Sequence, residues 1–212
     1  MSTACGQLHA LARRLSRFKF PFNAAQVPSS GIYLLFEKGE AGHDGDRIVR
    51  VGTHTGDGNL RQRLQEHFLH ENKDRSIFRK NIGRAMLARD NDNFLAQWEW
   101  DLTSHANRGK YGSLVDVDKL RSVEARVTEY LVDNCSFAVL PVGGDVVKRA
   151  RLDLEATLIA TVAQCPACGP SRNWLGLFSP KPTIRRSGLW QIQHLSATPL
   201  TSPLPRGLGS GR

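Results

Sequence analysis

Gly31-Ile32-Tyr33-Leu34-Leu35-Phe36 and Arg47-Ile48-Val49-Arg50-Val51 are the two runs that most constrain this chain. Both are short, apolar and rich in β-branched or aromatic residues, and the second alternates apolar with polar side chains, which predicts paired strands. The glycine- and acid-rich stretch from Lys38 to Asp46 reads as the hairpin loop between them. Helical spacing surrounds this pair. Leu8, Leu11, Leu15 and Phe18, with Arg13, Arg14 and Arg17 between, predict an amphipathic N-terminal helix. Leu60, Leu64 and Phe68 mark a helix entered after the turn-prone Gly56-Asp57-Gly58-Asn59, and Leu120, Val123, Val127 and Leu131 mark another. Phe94 to Trp100 reads as a further strand. Phe137-Ala138-Val139-Leu140-Pro141-Val142 is a strand followed by a helix from about Lys148 to Gln164. The fold expected is α/β, a small mainly antiparallel central sheet flanked by helices, with an inserted helical or mixed segment.

At 212 residues and 40% hydrophobic composition, the chain is a globular protein of one domain with room for an insertion. The boundaries expected are an N-terminal amphipathic helix over 1–28, a core domain over 29–195 with the insertion at about 90–134, and a disordered tail over 196–212. That tail has 11 Pro, Gly, Ser or Thr among 17 residues, too few apolar groups to order it. The formal charge of +9 is unevenly placed: +4 over 1–36, −2 over 37–49, +5 over 50–89, −5 over 90–147 and +7 over 148–212. Basic blocks flanking an acidic middle are the electrostatic footprint of a phosphate-rich partner. No apolar stretch approaches the roughly 20 residues that span a bilayer, and the N-terminus has no apolar signal core, so no membrane partner is expected. The expected setting is a bacterial cytoplasm. Cys5, Cys135, Cys165 and Cys168 are too few and too irregular for a disulfide framework and read as reduced thiols.

Glu155 is the most informative residue. Leu158, Ile159 and Val162 follow it at i+3, i+4 and i+7, and Leu152 precedes it, so a carboxylate stands in an apolar helical stripe. Such a group needs an arginine, a hydrogen-bond network or a metal ion as partner. Arg63 and His67, one turn apart beside the Leu60 ridge, share a helix face.

The order Gly31-Ile32-Tyr33, a hairpin to Val51-Gly52, Leu60-x-x-Arg63-Leu64-x-x-His67, Leu154-Glu155-x-x-Leu158-Ile159, then Asn173, resembles the GIY-YIG nuclease family over about residues 29–90 and 136–178. The resemblance implies a phosphodiester hydrolase in restriction, repair or mobile-element biology, acting on double-stranded or branched DNA. It assigns Tyr33 as the general base, Arg63 as the phosphate clamp, Glu155 as the Mg²⁺ ligand with Mn²⁺ as a substitute, and Asn173 as an orienting residue. His67, at a position held by tyrosine or histidine in members, competes with Tyr33 for the role of base, because an ordinary imidazole pKa near 6.5 suits the work better than a phenol near 10. Arg50-Val51-Gly52 replaces the family's second Tyr-Ile-Gly motif, which leaves a second reading: a noncatalytic DNA-binding protein on the same scaffold. Arg50 either contacts phosphate from the vacant tyrosine place or is a solvated strand-end arginine. Cleavage of both strands by one site per chain requires a homodimer or two successive nicks.

Further DNA contacts are expected at Arg75, Arg79, Lys80 and Arg84, where basic and apolar residues interleave, and at Lys181, Arg185 and Arg186 near Trp174 and Trp190. A solvated basic face explains the first group equally well. Phosphate contacts bind any sequence and make affinity salt-dependent. Cys165-Pro166-Ala167-Cys168 has the spacing of half a zinc site, to be completed by Cys5, Cys135 or a histidine, but no second close pair accompanies it, and a helix-terminating turn is the preferred reading.

Overall fold

The computed structural model describes residues 3–56, 58–142 and 148–201. Most of the expected disordered tail, 202–212, and Asp57 of the expected turn lie outside the described residues.

Helix α1 (Ala4–Ala12) opens at Thr3, whose hydroxyl accepts from the Gly6 amide at 3.1 Å. It is shorter than its apolar spacing suggests. Arg17–Phe18 forms a short strand, β1, in which Phe18 stacks on Phe137 and Arg17 lies 3.5 Å over the Phe36 ring. Sheet pairing therefore captures the last two residues of the expected helix.

Strands β2 (Gly31–Gly42) and β3 (Gly45–Gly52) pair down to Gly42 and Gly45. The expected loop from Lys38 to Asp46 shrinks to two residues, His43 and Asp44, at φ 51° and 61°. Positive φ at both central positions is the turn that matches strand twist, so Gly42 pairs with Gly45 and Ala41 with Asp46, beyond an irregularity between Phe36 and Ala41. Strand β4 (Cys135–Pro141) lies between β1 and β2, giving the order β1-β4-β2-β3 with every pairing antiparallel.

Alternation along the strands sends side chains to two apolar layers. Tyr33, Leu35, Phe137 and Val139 face helices α2 (Leu60–Phe68), α3 (Ile77–Arg89) and α6 (Val117–Asn134). Ile32, Leu34, Phe36, Ala138 and Leu140 face α1 and α7 (Lys148–Ala163). Each fully buried branched or aromatic side chain contributes about 1.5–3 kcal/mol, so both faces hold their helices firmly. Val123, Val127 and Leu131 put α6 in the first layer, so part of the 90–134 segment belongs to the core.

The expected strand at Phe94–Trp100 is instead a helical turn, α4 (Leu95–Trp98), followed by α5 (His105–Tyr111). Asp92 accepts from the Phe94 amide at 2.9 Å, and the Trp98 amide bonds back to Phe94 O at 2.8 Å. These local bonds win because a four-residue spacing of buried aromatics fits a helical turn as well as a strand. A last helix, α8 (Pro182–Ser187), leads to the segment that closes the sheet edge. Trp190 N donates to Val49 O at 2.8 Å and Gln191 Oε1 accepts from Val51 N at 2.9 Å, which covers the outer side of β3.

Candidate active site

The end of β3 is where the two layers meet. Tyr33 on β2 pairs with Gly52, and a Cβ at Gly52 would stand 2.2 Å from the Tyr33 hydroxyl oxygen, so only glycine leaves room for the ring. The Tyr33 hydroxyl lies 3.0 Å from His67 Nε2 on α2 and accepts from Arg50 Nε at 3.0 Å. Arg50 also donates from Nη1 to Trp190 O at 2.5 Å and lies over the Phe78 ring. It is neither solvated nor free, because the edge-covering segment and the phenol hold both ends of its guanidinium. His67 Nδ1 meets Ser76 Oγ at 2.7 Å, which also caps α3 by accepting from Arg79 N.

Glu155 approaches from the opposite layer. Its Oε1 accepts from Thr53 N at 3.1 Å, just past the end of β3, while Oε2 takes no hydrogen bond from any described residue. Tyr33, Arg50, Arg63, His67 and Glu155 line one cleft of about 410 Å³, with Glu66, Gln191 and His194. Arg63 does not pair with Glu155. It donates to Glu66 at 3.0 Å and to Arg75 O at 3.1 Å, at the rim.

Electrostatics sort these groups. Burial pushes the Glu155 carboxyl above its ordinary value, and Arg50 opposes the shift. Burial, reinforced by Arg50, Arg63 and Arg79, holds His67 well below the ordinary imidazole value of 6.5, so it is neutral at physiological pH. The unfolded chain takes up a proton at His67 near that value and the native chain refuses it. Stability from His67 is therefore full above that window and is lost as pH falls below it; Glu155 acts in the opposite sense, losing stability as pH rises above 4.5. The melting temperature of wild type should fall between about pH 7 and pH 5 more steeply than that of His67→Gln, measured by calorimetry. Parallel profiles would mean that His67 carries no buried-proton penalty.

The chain matches the GIY-YIG domain over residues 5–202. The chain belongs to the GIY-YIG family. Neither a curated protein nor a solved structure matches it. Family membership brings nuclease chemistry on DNA in general, and the antiparallel sheet flanked by helices is the fold expected of it. Among the described residues, no helix is long and apolar enough to cross a membrane.

Within this GIY-YIG scaffold, Tyr33, Arg63, His67 and Glu155 come together, and Arg50 fills the space beside Tyr33. Asn173 does not join them. It is exposed and lines a separate cleft with Glu37, Tyr130 and Ser171, because buried Trp174 turns into the core and anchors its indole nitrogen on Glu37. Gln191 and His194 occupy the cleft instead, and Arg151, one turn before Glu155, donates to His54 O at 3.1 Å beside it. Sequence patterns missed Gln191 and His194, since 189–195 follows neither helical nor strand periodicity.

The expected basic face on α3 is also corrected. Arg79 is 0% exposed and pairs with Glu124 at 2.8 Å; Lys80 and Arg84, 8% and 5% exposed, pair with Asp74 and Glu99. Three acids drawn from outside the helix neutralise the cations and bury them. Arg75 stays exposed, as do Arg185 and Arg186 on α8, with Lys181 half-buried before it.

Proposed function

We propose that the chain is a metal-dependent DNA endonuclease that hydrolyses phosphodiester bonds by in-line attack of water. The observation that carries the reading is the Arg50–Tyr33–His67 chain of hydrogen bonds facing the Glu155 carboxylate across one cleft.

Tyr33 is the base in this reading. With Nδ1–H of His67 donated to Ser76 Oγ, Nε2 keeps a lone pair toward the phenol, and Arg50 Nε donates to the Tyr33 oxygen. Both His67 nitrogens are engaged within the protein, so His67 acts through Tyr33 and does not take a proton from water itself. Arg63, at the rim, exchanges its weak contact with Glu66 for a non-bridging phosphate oxygen, which its planar fork fits. Glu155 suits a hard divalent cation: it offers an oxygen with no donor among the described residues, its burial disfavours the bare carboxylate, and Mg²⁺ takes only one or two carboxylates while keeping several waters. When bound, such a cation supplies charge stabilisation at the phosphate and the leaving oxygen. Arg75, Lys181, Arg185 and Arg186 are the candidate contacts to backbone phosphates that remain at the surface.

Supercoiled plasmid incubated with the purified chain and Mg²⁺ or Mn²⁺ should convert to nicked and linear forms, and EDTA should stop the conversion. A chain that shifts DNA on a gel yet yields no product from duplex or branched substrates at any metal concentration would be the noncatalytic binding protein.

A further inference from the structure

Four metal-ligating side chains converge on the far side of the sheet from Tyr33. Cys5 and His9 stand one turn apart on α1, His43 sits in the hairpin turn between β2 and β3, and Cys168 lies in the turn after α7. One ligand atom from each lies within 4.8 Å of the other three. Cys5 Sγ is 3.5 Å from Cys168 Sγ and 3.6 Å from His9 Nδ1, and Cys168 Sγ is 3.9 Å from His9 Nε2. Cys165 adjoins the group, its sulfur 3.2 Å from His43 Nε2. All of these cysteines are free thiols.

Sulfur and nitrogen ligands held tetrahedrally on zinc at about 2.3 and 2.0–2.1 Å stand about 3.5–3.8 Å from one another. The Cys5–Cys168 sulfur contact and the approach of Cys168 Sγ to His9 Nε2 are close to that size, across elements up to 163 residues apart in sequence. His9 is also set in the required tautomer. Its Nδ1 lies 2.9 Å from Cys5 O, where it donates, which leaves Nε2 as the nitrogen with a lone pair; that lone pair accepts from Ile48 N at 3.2 Å, a contact that zinc at Nε2 would displace. A backbone carbonyl fixing one nitrogen while the other faces a metal is the usual outer-sphere arrangement of a ligating histidine.

We propose that Cys5, His9, His43 and Cys168 bind one zinc ion in a closed, structural site. Thiolate and imidazole donors select zinc over the hard cation suited to Glu155, and four protein ligands leave no open position for catalysis. Binding releases the thiol protons to solvent. The ion would tie α1, the tip of the β2–β3 hairpin and the end of α7 to each other. Glu155 lies on α7 some eight residues before its end, about 12 Å along the axis, so the site would steady the helix that carries Glu155 while standing apart from the chemistry.

The test uses the full chain purified under reducing conditions without chelator. Mass-spectrometric metal analysis should find about one zinc per chain. Reconstitution with Co²⁺ should give the visible bands of a tetrahedral ion and a near-ultraviolet thiolate charge-transfer band. Cys5→Ser combined with Cys168→Ser should lose both, and Glu155→Gln should keep both, which separates this site from the active-site cleft. Wild-type protein that holds no zinc after reconstitution with zinc chloride, or a cobalt spectrum without the thiolate band, would overturn the proposal, as would retained zinc in the double variant. Should that variant fail to fold, wild type still decides the matter: its melting temperature should drop on chelation and recover with zinc, and an unchanged value would count against the site.

Discussion

Glu155→Gln should lower metal-dependent DNA cleavage by about 10³-fold or more while leaving DNA binding and the melting temperature near wild type. A bound cation supplies several kcal/mol of charge stabilisation in phosphoryl transfer, and each 1.36 kcal/mol is tenfold in rate, so loss of the one carboxylate ligand costs about that factor. The fold should tolerate the change because an amide oxygen still accepts from Thr53 N and a neutral side chain is cheaper to bury than a carboxylate whose ionisation burial already disfavours. At neutral pH the variant should melt no lower than wild type, in keeping with the sign of the Glu155 shift. Plasmid cleavage, gel retardation and calorimetry on the same preparation separate the cases. Cleavage within tenfold of wild type would remove Glu155 from the reaction. A large fall in melting temperature would make it a structural carboxylate.

Four of the five expected catalytic residues meet in one cleft, and the reason lies in periodicity. Arg63 and His67 share a face of α2 because they are one turn apart, Tyr33 faces the same layer through strand alternation, and Glu155 stands out as the charge in an apolar stripe. Asn173, Gln191 and His194 lie in segments without periodicity, whose positions depend on where Trp174 and Trp190 bury and which backbone groups they meet. No local rule places them. The same limit explains α3. Interleaved basic and apolar residues predict an amphipathic helix with a cationic face, but the partners that bury Arg79 and Arg84 lie 45 and 15 residues away, at Glu124 and Glu99. The zinc-type cluster is a stronger case: of the Cys165–Cys168 spacing only Cys168 enters it, while His43 comes from a turn that the sequence reads as the middle of a long loop, and Cys5 and His9 come from the start of the chain.

Burial of Arg79 ties the scaffold to the active site and leads to the largest expected effect on stability. Glu124 on α6 accepts from Arg79 Nε at 2.9 Å and Nη2 at 2.8 Å through Oε2, takes the Lys73 amide on Oε1, and offers its own backbone carbonyl to Arg79 Nη2 at 2.9 Å. Arg79 reaches on from Nη1 to His67 O at 3.4 Å, so this ion pair lies directly behind the histidine that contacts Tyr33. Glu124→Ala would leave a guanidinium with no exposed surface without its counter-charge, together with an orphaned Lys73 amide. Breaking a buried pair in this way costs about 3–5 kcal/mol. For a chain of this length each kcal/mol is about 2–4 °C, so the melting temperature should fall by about 10 °C, read by calorimetry. Replacing both partners with apolar residues, Arg79→Met with Glu124→Leu, removes the unpaired charge and should recover most of the loss, because the penalty belongs to the orphaned cation and not to the missing attraction. Cleavage should stay impaired in the recovered protein to the extent that Arg79 helps seat α2 and His67, while a fall of only a degree or two in the single variant would show that water reaches Arg79 and that the pair is not sealed.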